Sequence, residues 1–178
     1  MWTDQDIESF KLVNKDAFDK AVSYAERANL LRLEILERYG GIYVDSDFEC
    51  LQNFDFFNEN FEFYAGITPA IRRQSIISNA LIASIPHHPI LLACIKKINK
   101  TDYTITQMHR NGTVHFSTTI LDECANNQTI NLAKIVFLPP EFFYPLPTAD
   151  APRSLITISS FETHHWAGSW HDKKTWLT

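Results

Sequence analysis

Residues 28–51 read ANLLRLEILERYGGIYVDSDFECL: a helical stretch, a double-glycine stop, three β-forming residues, and two aspartates two positions apart. From about Asp16 to Tyr39 apolar residues recur at helical spacing, so a single helix is expected there, with Gly40 as its usual stop. Gly40-Gly41 then turns the chain into Ile42-Tyr43-Val44, expected to be a short buried strand that ends in Asp45-Ser46-Asp47. At 100° per residue Ala25, Ala28, Leu36 and Tyr39 share one helix face, and Arg27, Glu34, Glu37 and Arg38 share the opposite one. Asn29 and Arg32 fall within the apolar face. A guanidinium cannot shed its charge, so Arg32 requires either a core carboxylate or an open cleft where it binds phosphate or ribose oxygens. Glu34 and Arg38 read as a solvated i, i+4 pair.

Outward from this run, Phe61 to Ile67 and Ser75 to Ile85 read as strand or mixed segments. Pro89 is placed to open a helix reaching about Asn99, with Ile90, Leu91, Cys94, Ile95 and Ile98 on one side. Thr113 to Ala125 is a further helix. Ile135 to Leu138 and Leu155 to Ser159 are strand candidates, separated by a loop containing Pro139, Pro140, Pro145 and Pro147. Alternating strands and helices argue for an α/β fold. At 178 residues and 45% hydrophobic content the chain can bury one sizeable core and is short for two, so residues 1–178 are expected to form a single domain.

Charge excludes one class of partner. A net charge of -5 with no basic run gives no general attraction to nucleic acid. Cys50, Cys94 and Cys124 are odd in number and lack metal-ligand spacing, which suits free thiols in a reducing, cytoplasmic compartment. The sequons at Asn99, Asn111 and Asn127 come with no signal peptide and read as chance. No apolar stretch approaches the roughly 20 residues of a transmembrane segment, so any membrane association is expected to be peripheral.

In an extended strand, residues i and i+2 project to the same side, so Asp45 and Asp47 can present two carboxylates to one cation. A hard divalent ion takes oxygen ligands and bridges diphosphate oxygens, neutralising charge as a phosphate leaving group departs. The spacing alone is weak evidence, because Asp4-Gln5-Asp6 repeats it in a polar stretch that reads as a turn or helix start. Context separates the pairs. Ligands in open α/β sheets sit at the carboxyl ends of strands, where Asp45 and Asp47 fall.

This run resembles the signature of the DXD-containing sugar-binding glycosyltransferases, a family of initiating fungal mannosyltransferases, bacterial polysaccharide and lipopolysaccharide transferases and, more distantly, clostridial glucosylating toxins. The shared pattern is an Asp, an Arg three residues on, a helix, Gly-Gly-x-Tyr, and Asp-x-Asp. SNALIASIPHHP (residues 78–89) and HHWAGSW (residues 164–170) extend the similarity over most of residues 2–170. The resemblance implies a GT-A-like nucleotide-sugar-binding α/β fold that lacks its first strand-helix-strand segment. It also implies that Arg32 contacts the donor, that Tyr43 lines its site, and that Asp45 and Asp47 hold the sugar nucleotide and Mn²⁺ (or Mg²⁺), with Asp47 as the direct ligand. Asn79 is then expected to face the transferred sugar. His164 or His165 would complete the metal or diphosphate site, His164 being favoured by its His-x-Trp spacing, while Ser169 and Trp170 close over the phosphates. Where the pattern has Asp, this chain has Asn29, which can still hydrogen-bond a hydroxyl but carries no charge.

The implied reaction is transfer of a sugar from a nucleoside diphosphate donor to a hydroxyl on a glycan or lipid-linked acceptor, with retention of anomeric configuration, in polysaccharide biosynthesis. Two other readings remain open. A phosphatase-like hydrolase also ends a strand in Asp-x-Asp, but usually places a small hydroxyl or aliphatic residue where Glu49 stands. A non-catalytic sugar-nucleotide-binding subunit is favoured by Asn29.

Overall fold

A computed structural model describes residues 4–69, 75–98 and 106–166. Helices α1 (Asp4–Ser9), α2 (Lys15–Lys20) and α3 (Tyr24–Tyr39) lead into strands β1 (Gly41–Val44) and β2 (Phe48–Cys50). Then follow α4 (Asp55–Asn60), β3 (Phe63–Ile67), β4 (Ile77–Ser84), α5 (Pro89–Ile98), α6 (Gln107–Arg110), α7 (Thr113–Asn126), β5 (Ile135–Leu138), α8 (Pro140–Phe143) and β6 (Glu162–His164). The main sheet has the order β1-β4-β3-β5; β4 runs antiparallel to both neighbours and β5 runs parallel to β3. A second, two-stranded sheet pairs β2 with β6.

The architecture is mixed α/β, as its alternating elements imply. Burial sorts the main sheet into two apolar faces. On one, Phe63, Ala65 and Ile82 pack beneath Leu30, Leu33 and Leu36 of α3, Ile90, Leu91 and Ile95 of α5, and Phe116 and Ile120 of α7. On the other, Tyr64, Leu81 and Ala83 meet Phe57, Phe143 and Tyr144, with Phe48, Phe161 and Trp166 packed around them. Strand β4 is buried along its whole length, its polar Ser78, Asn79 and Ser84 included. All five residues expected on the inner side of α5 are buried.

Five expectations need correction. The helix foreseen from Asp16 to Tyr39 is two helices, broken at residues 21–23. Ser23 caps α3, its hydroxyl accepting from Glu26 N at 3.1 Å, while the Glu26 carboxylate accepts from Val22 N at 3.1 Å. Ser23-Tyr24-Ala25-Glu26 has the spacing of a capping box, with Glu26 reaching Val22 N rather than Ser23 N, and it starts a new helix within an unbroken apolar period.

Strand β1 is not buried but forms an edge, with Ile42 41% and Val44 42% exposed, because its outer side pairs with no strand among the described residues. Glu34 is not solvated either: at 3% exposure it accepts from Val13 N at 2.7 Å and Asn14 N at 2.8 Å, so the segment between α1 and α2 covers that face. Arg38, its expected partner, donates to Phe10 O at 2.7 Å and lies over the Phe10 ring, while Tyr39 of the expected apolar face is exposed.

The strand foreseen from Leu155 to Ser159 is turn structure. Thr157 N donates to Ser160 Oγ and Ser159 N to Thr157 Oγ1, so local hydroxyl bonds compete with pairing, and Ile158 is left 94% exposed. The strand of this region is β6, whose Glu-Thr-His composition hides its burial.

Candidate metal and donor site

The site begins with the turn after α3. Gly40 has φ 65° and Gly41 φ 101°, both in the left-handed region, and a Cβ on Gly40 would stand 2.7 Å from Pro86 Cδ. The double glycine thus reverses the chain tightly enough to lay β1 beside β4, in the register Tyr43↔Ile82 and Val44↔Leu81. Pairing continues one residue beyond the strand, where Asp45 N donates to Ala80 O at 2.8 Å. Asp45 is therefore fixed at the strand's carboxyl end. The chain then turns, with Phe48 N reaching Asp45 O at 3.3 Å, and enters β2.

Pairing of β2 with β6 sets Phe48 opposite His164, and His165 N donates to Asp47 O at 2.9 Å. This register carries a histidine across more than a hundred residues of chain to the aspartate pair. His164 Nε2 lies 3.2 Å from Asp47 Oδ1, and its ring is enclosed by Phe48, Tyr144 and Trp166. Burial in this aromatic box holds the imidazole below its ordinary pKa, opposed chiefly by Asp47, and so favours the neutral, ligating form.

His165 points elsewhere. Its Nε2 meets Glu49 Oε2 at 3.1 Å, in an exposed group with Arg153 whose bonds hold the Glu49 carboxyl below the usual range.

Arg32 supplies the other wall. Its Nη1 lies 3.1 Å from Asp45 Oδ1 and also donates to Asn79 O, its Nε donates to Ala28 O at 3.2 Å, and its Cζ stands 4.2 Å above the Tyr43 ring. Tyr43 Oη donates to the same Asp45 oxygen at 2.7 Å. Burial raises the Tyr43 phenol well above its ordinary pKa, with Arg32 opposing and Asp45 adding, so it remains a donor across the physiological range. Of the two alternatives for Arg32, the structure shows the carboxylate partner, and that carboxylate belongs to the aspartate pair.

Asn29 and Asn79 are both buried, and Asn79 Nδ2 donates to Asn29 Oδ1 at 3.0 Å. Thr113 Oγ1 donates in turn to Asn79 Oδ1 at 2.9 Å, a contact for which the sequence carried no signal. Ser169 and Trp170 lie outside the described residues. Asp4 and Asp6 belong to α1, in keeping with a helix start.

Whether these side chains suit a cation is a matter of donor chemistry and spacing. One ligand atom each from Asp45, Asp47 and His164 lie within 4.8 Å of one another. Two hard carboxylate oxygens and one imidazole nitrogen fit a divalent ion of the Mn²⁺ type.

Residues 2–64, the segment that holds Arg32, Tyr43 and both aspartates, match the glycosyltransferase sugar-binding region containing the DXD motif. Through this region the chain belongs to the DXD-containing glycosyltransferases. Among relatives of this chain, the uncharacterized glycosyltransferase L373 of Acanthamoeba polyphaga mimivirus is 30% identical over 125 residues, 67% of this chain and 48% of that protein. The mannosyl phosphorylinositol ceramide synthase CSH1 of Saccharomyces cerevisiae is 33% identical over 105 residues, 55% of this chain and 26% of that protein. Inositol phosphoceramide mannosyltransferase 2 of Schizosaccharomyces pombe is 27% identical over 97% of this chain and 48% of its own length. The chain thus spans about half or less of these relatives. In fold it is similar to the PaToxG glycosyltransferase, with a TM-score of 0.53 at 18% identity over 71% of this chain and 46% of that one.

Proposed function

We propose that this chain is the donor-binding core of a metal-dependent, retaining glycosyltransferase that moves a sugar from a nucleoside diphosphate to a hydroxyl of a glycan or lipid-linked acceptor. The observation that carries this reading is the convergence of Asp45, Asp47 and His164 beside Arg32 at the end of β1. A divalent cation bound there would neutralise the charge that develops on the departing diphosphate. The protein's own part is positioning. Arg32 is held by Asp45 and two backbone carbonyls before any ligand arrives, so little reorganisation accompanies the reaction. Asn29 and Asn79 are proposed to face the transferred sugar, and Ser169 and Trp170 to cover the phosphates.

The names of the yeast relatives support mannose as the first sugar to test. The proposed setting is the cytoplasm, peripheral to a membrane that bears the acceptor; among the described residues no helix is long and apolar enough to cross a membrane.

A binding module without turnover is the second reading, favoured by Asn29 where the family pattern has a carboxylate. One experiment separates them. The chain is incubated with GDP-mannose, UDP-glucose, UDP-galactose and UDP-N-acetylglucosamine, with and without Mn²⁺, while nucleoside diphosphate release and thermal stabilisation are both read. Metal-dependent release supports the transferase, and stabilisation without release supports the binding module. Neither effect with any donor overturns both.

A further inference from the structure

We infer that Thr113 is a positioning residue of the donor site, acting through the Asn79 carboxamide on Asn29; the inference rests on the glycosyltransferase reading above. Thr113 is the first residue of α7, and the preceding N-cap residue is Gly112, which offers no side chain. The Thr113 hydroxyl donates across to β4, where it meets Asn79 Oδ1 at 2.9 Å.

Asn79 is only 7% exposed, and each of three polar ends has a different partner. Its Oδ1 accepts from Thr113, its Nδ2 donates to Asn29 Oδ1, and its backbone oxygen accepts from Arg32, which also pairs with Asp45. One hydrogen-bonded chain therefore runs from the start of α7, through β4, to two residues of α3 and on to the metal site.

The consequence concerns which end of a carboxamide faces a ligand. With Oδ1 of Asn79 held by a hydroxyl proton, its Nδ2 points at Asn29 and occupies the Asn29 oxygen. Asn29 is then left with its N–H groups for a sugar oxygen. If the Thr113 hydroxyl is removed, whichever end of the Asn79 amide faces residue 113 lacks a partner, so nothing holds the carboxamide in one orientation. In the reversed orientation it presents an oxygen to Asn29, which must reverse as well. An acceptor then replaces a donor at the sugar, so discrimination among epimers suffers while the nucleotide and metal contacts are untouched.

The test compares Thr113→Val, which keeps shape and removes the hydroxyl, with Thr113→Ser, which keeps the hydroxyl. In the ligand-free protein, the side-chain amide signals of Asn29 and Asn79 are expected to shift in the Val variant and to hold in the Ser variant, an outcome read without any turnover. With the donor the wild type prefers, the Val variant is expected to raise KM by roughly fivefold to tenfold, to narrow the preference over its epimers, and to leave free nucleoside diphosphate binding unchanged. The Ser variant is expected to restore all of these. Should the Val variant fail to fold, Thr113→Ala takes its place. Unmoved amide signals, or a Ser variant as impaired as Val, overturns the inference; failure of the wild type on every donor overturns the functional reading, with the amide signals still deciding the role of Thr113.

Discussion

His164 Nε2 stands 3.2 Å from Asp47 Oδ1, and this contact joins β6, near the end of the described chain, to the turn that follows β1. It distinguishes two adjacent histidines. Because neighbouring residues of a strand project to opposite faces, only one of His164 and His165 can reach the aspartates, and the β2–β6 register selects His164.

Removing His164 is therefore expected to weaken Mn²⁺ binding, by at least about tenfold for His164→Ala, since a proposed direct ligand is lost where even outer-shell partners cost roughly 10 to 100-fold. His165→Ala deletes only an exposed contact with Glu49, and metal affinity should stay within about twofold of wild type. Mn²⁺ titration by calorimetry on both variants decides the matter, and equal losses would remove His164 from the site.

Asp47→Asn is expected to abolish Mn²⁺-dependent donor hydrolysis, whereas Asp4→Asn and Asp6→Asn leave it largely intact. The two pairs share their spacing, but only Asp45 and Asp47 follow a sheet strand and stand beside His164 and Arg32. Melting temperature controls for folding, which should survive because Asn is close in size. Wild-type turnover by the Asp47 variant at saturating Mn²⁺ would move the metal elsewhere.

Most of the fold was legible because its signals are local. The Gly40-Gly41 stop, the Pro89 helix start and the buried β4 run each declare themselves within a dozen residues. Part of the candidate site was legible for the same reason, since Asn29, Arg32, Tyr43 and both aspartates occupy one short segment, while Asn79 and His164 came from the family resemblance. What was hidden depends on tertiary partners. Glu34 looked solvated because the backbone that covers it comes from residues 13 and 14, outside the helix on which its face was drawn. β6 was missed because Glu162, Thr163 and His164 are polar and yet buried; Glu162 has its carboxyl pushed up to about 8 by that burial. The Thr113 link to Asn79 leaves no sequence pattern at all.

The buried position of Glu34 carries a stability prediction. Its two oxygens accept two backbone N–H groups, and charge-assisted bonds of this kind are among the stronger ones. Glu34→Ala is expected to cost about 3 kcal/mol, or roughly 10 °C in melting temperature, with donor binding retained in the folded protein. Glu34→Gln, which keeps one acceptor, should cost about half as much. Urea unfolding measures both, and a Glu34→Ala variant as stable as wild type would mean that the residue faces water after all.

Acid sensitivity should arise in part from His88, which lies far along the chain from any proposed ligand. Its ring is 3% exposed and stacks on Phe63 with centroids 5.0 Å apart, and its Nδ1 accepts from Ile90 N at 3.3 Å, just ahead of the first turn of α5. Burial pushes its pKa from 6.5 down to about 4, so the folded protein holds it neutral while the unfolded chain takes up a proton first as the pH falls. The stability supplied by neutral His88 is thus full above about pH 6.5 and is lost between there and about pH 4, reaching about 2 kcal/mol of loss by pH 5. His88→Asn keeps an acceptor for the Ile90 amide in a residue type suited to helix starts, and it cannot titrate. The variant should be less stable than wild type at pH 7.5, because the ring packing is gone, yet lose about 2 kcal/mol less on acidification to pH 5. Urea unfolding at the two pH values gives the comparison directly. If both proteins lose the same stability between pH 7.5 and 5, His88 does not titrate differently on folding and its burial is not the source of the acid response.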